Sequence, residues 1–196
     1  MTERATAPTA GRVPGHATDR CRQIIAAART LLEAEGPEAF TMRRLADSIG
    51  ITAPSLYKHF PDKSSVLTAL AGEVLRETAE TLEAAESVDP GSFPALATAY
   101  RAYALAHPHL YLLTTARPVD ATALPPGLQE RAAAPLSRAV DGDQERARAA
   151  WAFAHGMVVL ELNGRFPPGA DLAAAWSAGI AAFVRAAPSE GSRASG

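Results

Sequence analysis

The stretch that most limits the fold is TMRRLADSIGITAPSLYKHFP, residues 41–61. Met42, Leu45, Ala46 and Ile49 recur at i, i+3, i+4 and i+7, the apolar stripe of a short helix that Thr41 can cap and Gly50 can close. A second short helix can be capped by Thr52. Pro54 then falls in its first turn, where a missing N–H costs nothing, and Pro61 stops it. Only Gly50, Ile51 and Thr52 separate the two. Two brief helices joined by a three-residue turn with a glycine in it form the helix-turn-helix pattern, whose second helix can enter the major groove of DNA.

The rest of the chain also reads as helix. Alanine is abundant, runs of Val, Ile, Tyr and Thr are scarce, and the composition (47% apolar, 20% charged) is that of a soluble globular protein. Ile24, Ala27, Ala28, Leu31 and Leu32 predict a first helix over Asp19–Glu35, ended by Gly36 and Pro37. Asp62 can cap a helix over Lys63–Glu86. Further helices are predicted near Phe93–Ala106, Leu110–Thr115, Pro126–Ala139, Gln144–Asn163 and Asp171–Ala186, punctuated by Pro, Gly and Asp clusters. Residues 1–17 and those after Pro188 lack periodicity and read as flexible tails. No apolar run approaches the roughly 18 residues of a membrane span, and residues 1–15 lack the apolar core of a signal peptide. The single cysteine, Cys21, excludes an intramolecular disulfide and multi-cysteine zinc sites. A cytoplasmic all-α protein is the expectation.

Charge is unevenly placed. Residues 1–63 hold nine Lys and Arg against seven Asp and Glu, whereas the whole chain has a formal net charge of -2. On a wheel of 100° per residue, Ala53, Leu56 and Phe60 form the buried face of the second short helix. Ser55 and Lys58 are then candidate readers of base edges, and Tyr57 and His59 candidate phosphate contacts. Lys63 in a first helical turn opposes the helix dipole, a cost that a phosphate sharing that N-terminus would reverse. Thr41 and Thr52, at the starts of the two short helices, can make similar contacts.

Residues 24–67, from IIAAARTLLEAEG through TMRRLADSIGITAPSLYKHFPDKSSVL, closely resemble the N-terminal domain of tetracycline-repressor-like (TetR family) transcription regulators. The resemblance implies a homodimeric all-helical regulator: an N-terminal three-helix DNA-binding domain at 18–64, whose third helix reads a palindromic operator, and a C-terminal helical domain at 65–187 for ligand sensing and dimerisation. It places family roles on Thr41, Arg44, Ser55, Tyr57, Lys58, His59 and Lys63. Where the family often has arginine this chain has Cys21, with Arg20 and Arg22 beside it. WAFAHG (Trp151–Gly156), followed by LELNGRF and preceded far upstream by AYALAHPHLYLL, resembles a Trp…His-Gly subtype of the C-terminal domain.

In that C-terminal part Phe93, Tyr100, Tyr103, His107, Tyr111, Trp151 and His155 can supply aromatic walls and polar tips to a mostly apolar effector pocket. Small and apolar residues on the last two long helices, Val158, Val159, Leu162, Ala175, Gly179, Ala182 and Phe183, are candidates for a two-fold interface between chains, or for an intramolecular core. His107 and His109, split by a proline and without a nearby carboxylate, make a poor metal set, and no cofactor is expected. A small-molecule carrier without DNA binding is the alternative. An enzyme is the more distant one, because the chain has no Gly-rich phosphate loop, G-x-S-x-G or H-E-x-x-H.

Overall fold

The computed structural model describes residues 14–115 and 121–184 and divides into two compact units between Val66 and Leu67. The described residues form nine α-helices and one short 3₁₀ turn.

In the first unit, α1 (Pro14–Ala39) runs against α2 (Met42–Ser48), and α2 against α3 (Ala53–Tyr57). Helix α1 begins five residues before the predicted Asp19, so the expected tail shortens. Residues 1–13 lie outside the described residues, but Pro14 starts the helix, its fixed φ suiting a first helical position. No apolar period marks residues 14–18, which is why the sequence does not show this extension. Gly36 (φ 75°, ψ 176°) breaks α1 near its end, as expected of the Gly-Pro pair. Ile24, Ala28 and Leu32 pack fully buried with Phe40, Leu45, Leu56 and Val66.

The turn between α2 and α3 is closed by two backbone bonds. The N–H of Gly50 donates to the Asp47 carbonyl (3.2 Å) and that of Ile51 to the Ala46 carbonyl (3.0 Å). This is the Schellman arrangement, with Gly50 at φ 65° in the left-handed position that favours glycine. Thr41 and Thr52 cap the two helices, each hydroxyl accepting the N–H three residues on, from Arg44 (3.2 Å) and Ser55 (3.4 Å).

The second unit contains most of α4 (Lys63–Val88), then α5 (Phe93–Ala106), α6 (Pro108–Thr115), α7 (Leu128–Ala139), α8 (Gln144–Leu162) and α9 (Leu172–Ala181). Ser92, Asp143 and Asp171 cap α5, α8 and α9 through their side-chain oxygens. Helix α5 packs on α6, α7, α8 and α9, and its Phe93, Ala97 and Ala104 join Tyr111, Ala150, Ala154, Val158 and Trp176 in one core. Boundaries differ from expectation at several ends: α4 runs on to Val88 and α6 begins at Pro108. Gly127 adopts a left-handed conformation (φ 76°), so α7 starts at Leu128 and not Pro126. Helix α9 ends at Ala181, followed by a turn in which Ala182 keeps helical dihedrals (φ −67°, ψ −20°); residues 185–196, with the expected C-terminal tail, lie outside the described residues.

Candidate functional site

Helix α3 carries the first candidate surface. Leu56 is fully buried and Phe60 nearly so, while Pro54, Tyr57 and Lys58 are exposed and Ala53, Ser55 and His59 half-buried. The helix proper ends at Tyr57, short of Pro61, yet the wheel keeps its phase. Lys58 retains helical dihedrals (φ −68°, ψ −23°), and the N–H groups of His59 and Phe60 both reach the Leu56 carbonyl, at 2.9 and 3.0 Å. Tyr57, 48% exposed, is the largest aromatic surface of this unit. An outward Lys–Tyr pair on a helix rigidly held by Leu56 and Phe60 can present donors to an anionic groove.

The flanking residues are partly engaged within the unit. Arg44 pairs with Glu35. The Lys63 ammonium donates to the Phe40 carbonyl at 2.7 Å and sits 5.3 Å from that ring's centroid. Lys63 therefore ties the start of α4 to the end of α1, an intramolecular compensation for opposing the dipole that sequence alone did not reveal. His59 lies with its Nδ1 3.8 Å from the Cys21 sulfur, so the position where the family often has arginine contacts α3 through a thiol. Of the two neighbours offered in its place, Arg22 pairs with Asp19 and Arg20 donates to Gln23 (2.5 Å).

The second unit encloses a cavity of about 650 Å³, within the range of small-molecule sites. Val74, Leu75, Leu82, Phe93, Leu96 and Leu136 give it a largely apolar wall. Five of the seven aromatic and histidine residues predicted for a pocket line it: Phe93, Tyr100, Tyr111, Trp151 and His155. Tyr103 and His107 do not. The Tyr103 hydroxyl donates to Glu77 (2.9 Å) and its ring lies 5.0 Å from that of His107, which caps the end of α5. Helical spacing put Tyr100 and Tyr103 on neighbouring faces, and only burial shows which face the cavity takes. Thr78, Gln129, Gln144 and Arg148 also line it and were not foreseen, because polar residues on a helix look like ordinary surface.

The polar groups of this wall form one chain. The Tyr100 and Tyr111 hydroxyls are 2.9 Å apart, and Tyr111 lies 2.7 Å from His155 Nδ1. The Trp151 ring stacks on His155 with centroids 5.6 Å apart. Burial lowers the basicity of His155 and raises the pKa of both tyrosines, so all three stay neutral.

The predicted two-fold interface needs correction. Val158 is completely buried in its own chain's core and is unavailable to a partner. Gly179 serves the same internal packing: a Cβ there would meet the Phe153 ring at 2.0 Å. Phe183 stacks within the chain, 5.3 Å from Phe93 and 5.9 Å from Phe153. Ala182 is exposed, and Val159, Leu162 and Ala175 are half-buried, Val159 and Leu162 against the core. Leu160 (42% exposed), Ala152, Ala174 and Ala178 form the outward apolar surface of α8 and α9 that was missed.

A helix-turn-helix unit followed along the chain by a helical, cavity-bearing unit defines the class of two-domain DNA-binding transcription regulators. Residues 24–70 match the family described as bacterial regulatory proteins, tetR family, and residues 93–183 the tetracyclin repressor-like C-terminal domain. The chain is 31% identical over 151 residues to a helix-turn-helix-type transcriptional regulator of Mycobacterium tuberculosis, covering 72% of this chain and 69% of that one. It is 43% identical over 54 residues to the class A tetracycline repressor of Escherichia coli, covering 28% and 25%. A regulatory protein of known crystal structure superimposes with a TM-score of 0.70 at 25% identity, covering 88% of this chain and 98% of that one. The chain belongs to the TetR family of DNA-binding transcription regulators. Among the described residues no helix is long and apolar enough to cross a membrane.

Proposed function

We propose that the protein is a cytoplasmic homodimeric repressor that grips a palindromic operator through α3 and leaves it when a mostly apolar small molecule fills the α4–α8 cavity. The observation that carries the DNA-binding part is the division of α3 into a buried Leu56–Phe60 side and an outward Tyr57–Lys58 side. Lys58 and Ser55 read base edges. Tyr57, the free donors of Lys63 and the N-terminal turns capped by Thr41 and Thr52 hold phosphates, with Arg44 and His59 released from their internal partners to join them. The exposed apolar surface of α8 and α9 around Leu160 and Ala178, with Ala182 beside it, supports self-association, small residues allowing close helix approach. Two reading heads must then lie about 34–36 Å apart to enter consecutive major grooves. A ligand that favours a different spacing weakens operator binding.

Fluorescence anisotropy with duplex DNA from the region flanking the protein's own gene tests this. Tyr57→Ala and Lys58→Ala are expected to weaken binding while the circular dichroism stays unchanged. For Lys58→Ala the slope of log affinity against log salt should fall by about one. Unchanged DNA affinity in both variants would leave the small-molecule carrier as the better reading.

A further inference from the structure

We infer that the effector is a lipophilic organic acid, its apolar body in the cavity and its anionic head at Arg148. The inference rests on reading the cavity as the effector site.

Three observations converge. First, the polar groups inside the cavity are already matched to one another. The Tyr100 and Tyr111 hydroxyls bond to one another, and Tyr111 bonds to Nδ1 of His155. An acidic head placed among them would have to break one of these bonds to obtain a hydroxyl proton. The interior therefore suits a body, not a head.

Second, the remaining polar lining is asymmetric in charge. The chain as a whole has more acidic than basic residues, 21 against 19, yet among the described residues no Asp or Glu lines the cavity. Among the described residues the single permanently charged one that lines it is Arg148, joined by the neutral amides of Gln129 and Gln144. All three are exposed, so they stand where the cavity meets solvent. A cation entering this wall would meet no counter-charge and one like charge, and an anion the reverse.

Third, Arg148 is positioned and not saturated. It lies one turn before Trp151 on α8, and pairs on its own helix with Glu145, which does not line the cavity, and more loosely with Gln144 at 3.4 Å. A guanidinium has five donors, so a carboxylate can share it with Glu145 or displace that neighbour.

The test uses three probes with one fluorescent body and different heads: 1-pyrenebutanoic acid, 1-pyrenebutanol and 4-(1-pyrenyl)butyl-trimethylammonium, titrated by anisotropy against the full chain. The acid is expected to bind at least tenfold tighter than the alcohol, and the ammonium most weakly. Arg148→Gln should bring the acid to the level of the alcohol without changing the alcohol. Glu145→Gln, which frees the guanidinium, should tighten the acid alone, and this keeps the test informative if Arg148→Gln fails to fold. Equal binding of acid and alcohol, tightest binding of the ammonium, or no saturable binding by any probe would each overturn the inference. If the acid binds in the expected order but leaves operator affinity unchanged, the ligand class stands and the repressor-release reading fails.

Discussion

Two glycines reject a methyl group for different reasons, and the difference can be measured. At Gly50 nothing lies within 4 Å of an added Cβ, so only the left-handed backbone (φ 65°) opposes Ala. Gly50→Ala should cost about 1–2 kcal/mol, seen as a lower thermal midpoint, and no neighbouring truncation should restore it. At Gly179 the backbone is ordinary and the obstacle is the Phe153 ring. Gly179→Ala should cost about 1–3 kcal/mol of overpacking. Adding Phe153→Leu should recover part of that loss. Recovery at the first site, or its absence at the second, would contradict these assignments. His155 supplies a second residue-level expectation. Burial holds its pKa below the ordinary 6.5, so between 6.5 and its folded value the unfolded chain binds a proton that the folded chain does not. Stability should therefore be level above about pH 7 and decline as pH falls below 6.5. His155→Gln should remove that decline. The separate loss at lower pH should persist, as Glu161, held below its ordinary 4.5 by hydrogen bonds from Arg101, takes up its proton. Thermal melts of both proteins from pH 8 to pH 4 distinguish the two steps.

Helices α5, α8 and α9 are joined by one polar knot. Arg101 on α5 makes two bonds to Glu161 on α8, at 2.9 and 2.6 Å, and the Trp176 indole N–H on α9 donates to the same carboxylate at 3.1 Å. The guanidinium also lies 5.3 Å from the Trp176 ring. Glu161 is 13% and Arg101 28% exposed, so the pair is sheltered without being fully desolvated. Glu161→Ala should cost about 1–3 kcal/mol in urea unfolding, less than a fully buried pair, since water can still reach Arg101. The outer pairs Arg131–Glu83 and Arg138–Glu86 join α7 to α4 with their arginines open to solvent, and their removal should be felt mainly at low salt. None of these partnerships is written in the sequence, because they link residues 15 to 60 positions apart on different helices. What is legible is local. The caps at Thr41, Thr52 and Asp62, the Gly50 turn and the buried phase of Leu56 and Phe60 follow from spacing alone. Aromatic positions were legible as interior because such side chains are large enough to be needed there, and five of those named line the cavity. Val158 was misplaced because spacing identifies an apolar face but not whether a neighbouring helix or a second chain covers it.

At the scale of the whole protein, regulation requires the two units to share one free energy. If a ligand weakens operator binding by some factor, the operator must weaken ligand binding by the same factor, with couplings of about 1–3 kcal/mol, or roughly 5- to 150-fold, typical of such linkage. The equality holds whatever structural change carries it, so it tests the repressor reading without assuming how the reading heads move. Two titrations suffice: 1-pyrenebutanoic acid into the protein alone and into the protein saturated with operator duplex, set beside operator affinity with and without saturating acid. The two ratios should agree. The Tyr57→Ala/Lys58→Ala double variant should bind the acid as the unaltered protein does when free, and lose the effect of added DNA, because its defect lies in a unit that does not line the cavity. A pair of ratios both equal to one would mean that this cavity takes its ligand without informing the operator.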